Sequence, residues 1–350
     1  MILKKLIIQF CLIFSFISIY PTLVFAQDQV NEDSAVIIMY HRFGEETFPT
    51  TNVTLTQIEQ HLEELSKDIY NVVPLRTITE AFKSGSKLPP RTIAITIDDG
   101  FLSIYEEAWP RLKAAGIPFT LFISTQPVSD QFEGSMTWDQ IRELDADALV
   151  EIGHHGHSHA HMTEITANEA MADITTADAI VQQEIGYIPD LFAFPFGEYS
   201  DILIKAMEEK KYHAGFAQYS STSNSDNNIM AIPRFAFNQS FSDIDRFKLI
   251  VNSRALPVKD VLPRSADLEQ NPPSVGFTVA EDIQGLSALN CFPSHMSEPA
   301  TVNRIGTNRI EIRFDEPFPT GRHRINCTLP GPSGRWYWYG MPFFNLENSE

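Results

Sequence analysis

A distorted (β/α) barrel, followed by a small antiparallel β-sandwich-like domain, is the fold class that this 350-residue sequence predicts. Three observations carry it. From residue 35 to 255, short apolar runs alternate with amphipathic stretches about seven times, the pattern of parallel strands joined by helical crossovers. Several runs end in charged or histidine-rich segments, as barrel strands do where their carboxyl ends carry chemistry. After Leu256 the composition changes and the hydrophobic period becomes two. An open doubly wound sheet is the alternative arrangement of the same first elements.

Ala35 to Tyr40 is the first strand and runs into His41. Thr56 and Glu59 fit a capping box, with Ile58, Leu62 and Leu65 as the buried stripe of the helix they open. His61, next to Leu62, is expected on that helix's surface. Val72 to Pro74 is a brief strand, and Thr77 with Glu80 opens a helix through Phe82. Thr92 to Gly100 (TIAITIDDG) is the central strand, ending in two adjacent carboxylates. A helix over 106–115 stops at Gly116 and Pro118, and Phe119 to Ile123 is the next strand. Thr137 with Gln140 and Thr166 with Glu169 cap two more helices, on either side of a strand over 148–152. Leu191 to Phe194 is a strand ending at Pro195-Phe196-Gly197, and Ser200 caps the following helix. Tyr212 to Ala217 and Ile229 to Phe235 are the last strands of this part, and Phe241 to Val251 is its last helix.

This first domain spans 30–256. Residues 257–274, with Pro257, Pro263, Pro272 and Pro273, read as a linker. The remainder, 275–346, reads as the small β domain, with alternation over Asn308–Phe314 and Arg322–Leu329. Trp336-Tyr337-Trp338-Tyr339 fits alternating core and edge positions, with stacking on sugar rings as the second reading.

Residues 1–26 have a basic start at Lys4 and Lys5, an apolar run and a Val24-Phe25-Ala26 cleavage site. They read as a signal peptide, so the mature chain is expected to be secreted or periplasmic. An uncleaved anchor is the other reading of residues 1–26; no other stretch is long and apolar enough to span a bilayer, so an integral membrane protein is not expected. The formal charge of −19 argues against nucleic acid as a partner and favours a neutral or cationic one. Cys291 and Cys327 remain after the signal and are expected to form a disulfide in an oxidising compartment; free thiols or a metal pair are the alternatives.

Adjacent carboxylates such as Asp98 and Asp99 need a cation or a proton nearby. Five of the ten histidines lie in Gly153–His161 (GHHGHSHAH), after another strand on the same rim. One Asp oxygen and two His nitrogens, with positions left for water and substrate, make a working catalytic metal site. A solvated loop with opportunistic metal affinity is the other reading of the histidine run.

TIDDG (Thr96–Gly100), EIGHHGHSHAHM (Glu151–Met162) and FAFPFG (Phe192–Gly197) resemble, in order, three motifs of the polysaccharide deacetylases, the NodB-like carbohydrate esterases. Over about 35–255 the resemblance implies a NodB-like barrel acting on a polysaccharide with one divalent metal, zinc first and cobalt, nickel or iron as alternatives. It implies Asp98 as general base and Asp99, His155 and His159 as ligands. It implies Pro195 and Phe196 as pocket residues, with the Phe196 backbone N–H as oxyanion donor. Three departures stand out. Gly156 replaces the usual Thr or Ser, Ala193 replaces a base-orienting arginine, and a late Leu-x-x-His is absent. Arg234 is the candidate for the missing arginine. Tyr40-His41 resembles the poly-N-acetylglucosamine deacetylase branch, which implies His41 as general acid. The implied activity is N-deacetylation of an N-acetylglucosamine-containing glycan. The rivals are an O-acetyl glycan esterase, on xylan for example, and a non-catalytic glycan-binding protein on the same scaffold.

Overall fold

The computed structural model describes residues 31–345, so the expected signal peptide lies outside the described residues. Six strands lie side by side in chain order, all parallel: β1 (Ala35–Tyr40), β2 (Thr92–Asp99), β3 (Phe119–Ile123), β4 (Val150–His154), β5 (Leu191–Ala193) and β6 (Ala214–Phe216). A seventh, β7 (Phe235–Ala236), returns to pair with β1. The two-residue strand Asn71–Val72 joins the foot of β2. In β2, Thr92 through Asp98 are all buried, because a central parallel strand is covered on both faces and reads as one apolar run. Burying a side chain such as Ile95 or Ile97 stabilises by roughly 1.5–3 kcal/mol.

The gap between β6 and β7 is spanned by irregular chain. Ile232 N–H donates to Gly215 O and Ala217 N–H to Ile232 O, both at 2.9 Å. Three residues later Phe235 pairs with Ile38. The strand expected over 229–235 is therefore one bridge and a two-residue strand, interrupted where Pro233 has no N–H to give the ladder. The closure places Arg234 inside the barrel.

Helices fill the crossovers: α1 (Leu55–Leu65), α2 (Leu75–Ser84), α3 (Trp109–Ala114), α4 (Thr125–Ser129), α5 (Trp138–Asp145), α6 (Ala167–Ile185), α7 (Asp201–Glu209) and α8 (Ile244–Val251). Thr137 with Gln140 and Thr166 with Glu169 form capping boxes, and Ser200 caps α7. Two expected caps are corrected. Thr54 with Gln57, not Thr56 with Glu59, closes the box on α1, which brings Leu55 into the first turn. Pro74 starts α2 without a side-chain cap, its fixed φ sufficing for the entry, and Thr77 is already inside the helix. His61 is also corrected: it is buried, bonded to the Tyr40 hydroxyl at 2.8 Å and Ser242 O at 3.0 Å, and stacked on Phe247 at 3.9 Å. Burial lowers its pKa to about 4, so it is a neutral core residue.

The second domain is a sandwich of two four-stranded sheets. One runs β8 (Arg254–Ala255), β15 (Trp336–Asn345), β14 (Gly321–Pro330), β11 (Asn290–Pro293). The other runs β9 (Val258–Leu262), β10 (Val275–Val279), β13 (Arg309–Arg313), β12 (Thr301–Ile305). The expected linker 257–274 is thus corrected at its start. Val258–Leu262 is an edge strand paired antiparallel with β10, its Val258 and Val261 packed on the core, so the sandwich begins at the barrel's last helix. Cys291 and Cys327 are directly opposed on β11 and β14, fully buried and disulfide-bonded. Closing their 36-residue separation constrains the unfolded chain by about 4 kcal/mol. Three of the four residues of the aromatic run pack, and Trp336 is exposed. Tyr337 and Tyr339 join the sandwich core, and Trp338 meets Phe235 of the barrel in a T-shaped contact at 5.2 Å. Among the described residues no helix is long and apolar enough to cross a membrane.

Candidate active site

The carboxyl ends of β2, β4 and β5 bring the sequence-predicted residues to one rim. Asp98 ends the buried run of β2 and is 1% exposed. Arg234 meets it in a fork, Nη1 to Oδ1 at 2.7 Å and Nη2 to Oδ2 at 2.8 Å. The same guanidinium donates to Thr96 Oγ1 at 3.2 Å and to Ala217 O at 3.1 Å. Arg234 is itself fully buried, so this planar group has neither water nor freedom to turn. Burial pushes the Asp98 pKa up, but Arg234 and His155 outweigh it and hold the carboxyl below its ordinary range.

At Asp99 a φ of 79° breaks the alternation of strand side chains, so its carboxylate and that of Asp98 converge on His155 Nε2, at 3.4 and 4.0 Å. The Asp99 Oδ1 is buried, makes no hydrogen bond among the described residues, and lies 3.4 Å from His155 Nε2 and 3.2 Å from His159 Nε2. His155 Nδ1 donates to Ala193 O at 2.7 Å, which fixes the tautomer and leaves Nε2 as a lone pair aimed at Asp99. One atom from each of Asp99, His155 and His159 lies within 4.8 Å of the others. Two imidazole nitrogens and a carboxylate oxygen, one of them orphaned, fit a divalent cation of the zinc type. Burial pushes the Asp99 pKa up, yet the two histidines hold it well below the usual value. In His155, burial works downward and the Asp98 and Asp99 carboxylates raise the pKa above its ordinary value.

The remaining histidines divide. His41 follows β1 on the same rim, with a buried Nδ1 that has no hydrogen bond among the described residues. Burial lowers its pKa, and the fields of Asp99 and Asp98 offset this only in part. His154 is in the core, its Nε2 3.3 Å from Asp178 and its Nδ1 accepting from Gly156 N–H. His157 bonds Thr125 Oγ1, and His161 lies over Phe196 with ring centroids 3.7 Å apart and planes at 2°.

Two of the departures have physical reasons. Gly156 has φ 76°, and a Cβ there would stand 3.0 Å from Asp173 Oδ1, the carboxylate that receives the N–H of His157 and of Ser158. The histidine loop is wound around that acid, and the positive φ together with this close contact disfavours Thr or Ser. Ala193 is fully buried and serves through its carbonyl, while Arg234 orients Asp98 from across the barrel.

Asp99, His159 and Phe196 all have positive φ, at 79°, 54° and 57°. Each costs about 1 kcal/mol or more in a residue with a Cβ, and such strain concentrates where side-chain direction matters more than backbone comfort. Phe196 follows Pro195 in a short turn and sets its ring 4.5 Å from that of His159. Gly197, φ 71°, closes the turn, and a Cβ there would lie 2.2 Å from Gln218 N. Gly197→Ala is expected to cost at least ~2 kcal/mol. The thermal midpoint then falls by ~4 °C or more, read by calorimetry, and an unchanged midpoint contradicts the close approach.

Sequence reasoning missed two residues. Glu198 is 2% exposed and accepts from His161 Nδ1 at 3.0 Å and Thr163 Oγ1 at 3.1 Å. An acid directly after the PFG turn was the available signal. Arg322, from β14 of the sandwich, donates to Phe196 O and approaches Glu198 to 3.3 Å. Nothing local marks it, since it lies 126 residues from its partner in another domain.

Residues 85–215 match the family model described as polysaccharide deacetylase. Two relatives are poly-beta-1,6-N-acetyl-D-glucosamine N-deacetylases. The one from Staphylococcus aureus (strain MRSA252) is 24% identical over 58% of this chain and 78% of its own length. The one from Escherichia coli (strain K12) is 25% identical over 57% of this chain but only 36% of its own length. IcaB from Ammonifex degensii, a solved structure, aligns with TM-score 0.54 and 22% identity over 62% of this chain and 98% of that one, a likeness of fold. The family match stops short of the sandwich.

Proposed function

We propose that this chain, whose residues 85–215 match the polysaccharide deacetylases, is an exported, metal-dependent hydrolase that removes N-acetyl groups from an N-acetylglucosamine-containing glycan. One observation carries the reading. An orphaned Asp99 oxygen converges with two imidazole nitrogens beside a buried, arginine-held Asp98. A cation held by Asp99, His155 and His159, zinc best suiting the donor set and cobalt, nickel or iron the alternatives, supplies Lewis acidity to the acetyl carbonyl and the attacking water.

The chain's own groups do the rest. Asp98, ionised because Arg234 faces it, takes a proton from the attacking water. The backbone N–H of Phe196 donates to the oxygen that becomes negative as water adds to the carbonyl carbon. His41 gives a proton to the nitrogen as the C–N bond breaks, yielding acetate and a free amine. Its unengaged Nδ1 on the rim supports that role, and the fields of Asp99 and Asp98 act in its favour against the lowering by burial. Pro195 walls the pocket, and Arg234 acts through Asp98. Export rests on residues 1–26, and the N-acetyl preference rests on the activity named for the two relatives.

The test is acetate release from β-1,6- and β-1,4-linked N-acetylglucosamine oligomers by zinc-loaded protein and by Asp98→Asn. Release is expected, metal-dependent, and reduced ~10³-fold or more in the variant. Release only from an O-acetylated glycan such as acetylxylan would replace the amide by an ester. Glycan binding with bound metal and no release from either would replace the enzyme by a binding protein.

A further inference from the structure

We infer that Arg322 is a positioning residue for the Pro195–Gly197 turn, so that the C-terminal sandwich completes the active site. The inference rests on the proposed function, in which the Phe196 N–H meets the developing oxyanion.

Phe196 occupies a left-handed backbone conformation that it would not hold alone. Contacts grip it from two sides. His161 lies flat on one side of the ring at 3.7 Å. The Arg322 guanidinium carbon lies 5.5 Å from the ring centroid, and its Nη1 donates to the Phe196 carbonyl. Both grips end on one acid: Glu198 receives His161 Nδ1 at 3.0 Å and faces Arg322 Nε at 3.3 Å. A carboxylate buried this deeply needs a cation, and Arg322 brings the full one. Arg322, Glu198, His161 and Phe196 thus form a closed ring of contacts around the turn. Phe196 in turn touches the edge of His159, a proposed ligand, at 4.5 Å.

The sandwich is docked firmly enough to set this position. Along β14, Ile325 and Cys327 point into the sandwich core. Arg322, Arg324 and Asn326 take the opposite face by strand alternation. That face meets the barrel. Gly340, opposite Asn326, donates to Ser221 Oγ at 3.0 Å, and a Cβ on it would stand 2.1 Å from Ser220 O. Four residues along β14 from Asn326, Arg322 reaches the turn. Its side chain is still 43% exposed, at the edge of a cleft of about 160 Å³ lined by Gly197, Gln218, Tyr219 and Arg324. An arginine half open to solvent adds little to stability. Its fixed donors matter instead to an N–H that must already point at the oxyanion before the charge develops.

Arg322→Ala is expected to lower kcat for acetate release ~10-fold or more while KM stays within about twofold, because the oxyanion contact belongs to the transition state. Arg304→Ala, on the other sheet, is expected to match wild type. Added guanidinium is expected to restore part of the Arg322→Ala rate. Binding of acetohydroxamate to cobalt-loaded protein, followed by the cobalt absorption, gives a readout free of turnover and is expected to weaken ~10-fold. Should Arg322→Ala fold poorly, Arg322→Lys keeps the charge near Glu198 but loses the fork, and the same losses are expected, reduced in size. A kcat and an acetohydroxamate affinity both within twofold of wild type in a folded variant overturn the inference. Wild-type protein that binds cobalt yet releases no acetate overturns the proposed activity instead, and the acetohydroxamate titration then decides the positioning alone.

Discussion

Arg234→Met is expected to leave Asp98 as an uncompensated carboxylate in the barrel and to damage stability and activity together. Removing one partner of a buried pair costs ~3–5 kcal/mol, because the other charge stays desolvated. Here the loss also frees Thr96 Oγ1 and Ala217 O, which accept from the same guanidinium. The activity effect has a definite sign in pH. In the wild type Arg234 holds the Asp98 pKa below the ordinary carboxylate value, so the base is ionised throughout the neutral range. Without Arg234, burial is the dominant remaining influence, and burial raises a carboxyl pKa. The acid limb of kcat/KM therefore moves to higher pH, and the rate at pH 7 falls ~10²-fold or more. Arg234→Lys keeps one charge but loses the fork, and it is expected to fall between the two. A pH profile of acetate release on all three proteins checks this. An acid limb unmoved in Arg234→Met contradicts the assignment of Asp98 as an arginine-held base.

His155→Ala is expected to abolish zinc binding at micromolar metal while leaving the chain folded. His155 contributes one of three donors and links the cluster to Ala193 O. Losing such a donor weakens a three-ligand site by more than the ~10–100-fold typical of outer partners. Wild-type protein is expected to gain ~2.7 kcal/mol of stability at zinc 100-fold above its Kd, and the variant none. His154→Ala is the informative neighbour. His154 is as deeply buried but faces Asp178, so this variant is expected to lose stability and keep its metal. Metal content by mass spectrometry, with melting in the presence and absence of zinc, separates the two. Zinc retained at full stoichiometry by His155→Ala would remove this histidine from the site.

The contrast between His154 and His155 shows where sequence reasoning reaches its limit. Adjacent residues in one run differ in role because β4 ends between them: His154 takes the strand's last inward position, and His155 begins the rim loop. The three motifs fixed which histidines to choose; spacing alone would have left all five open. His61 was misplaced for a related reason. Helix periodicity puts it beside the buried stripe, but it cannot show that Tyr40, Ser242 and Phe247 close over that side of α1.

What the sequence determined by itself was local and periodic. Alternating apolar runs and caps specified the parallel barrel, period-two runs specified the sandwich, and two cysteines specified its staple. The Asp pair and the histidine run marked the rim, because each follows an apolar strand run and together they match two motifs in order. What only the tertiary structure decided was convergence across distance. Arg234 enters the barrel because the closure segment breaks at Pro233 and turns inward. Gly156 is small because Asp173 folds back on it. Arg322 reaches Phe196 because two domains dock through Gly340 and Ser221. None of these leaves a local pattern, since their cause is which surfaces meet once the chain is folded, and that is fixed by packing rather than by any residue's own preference.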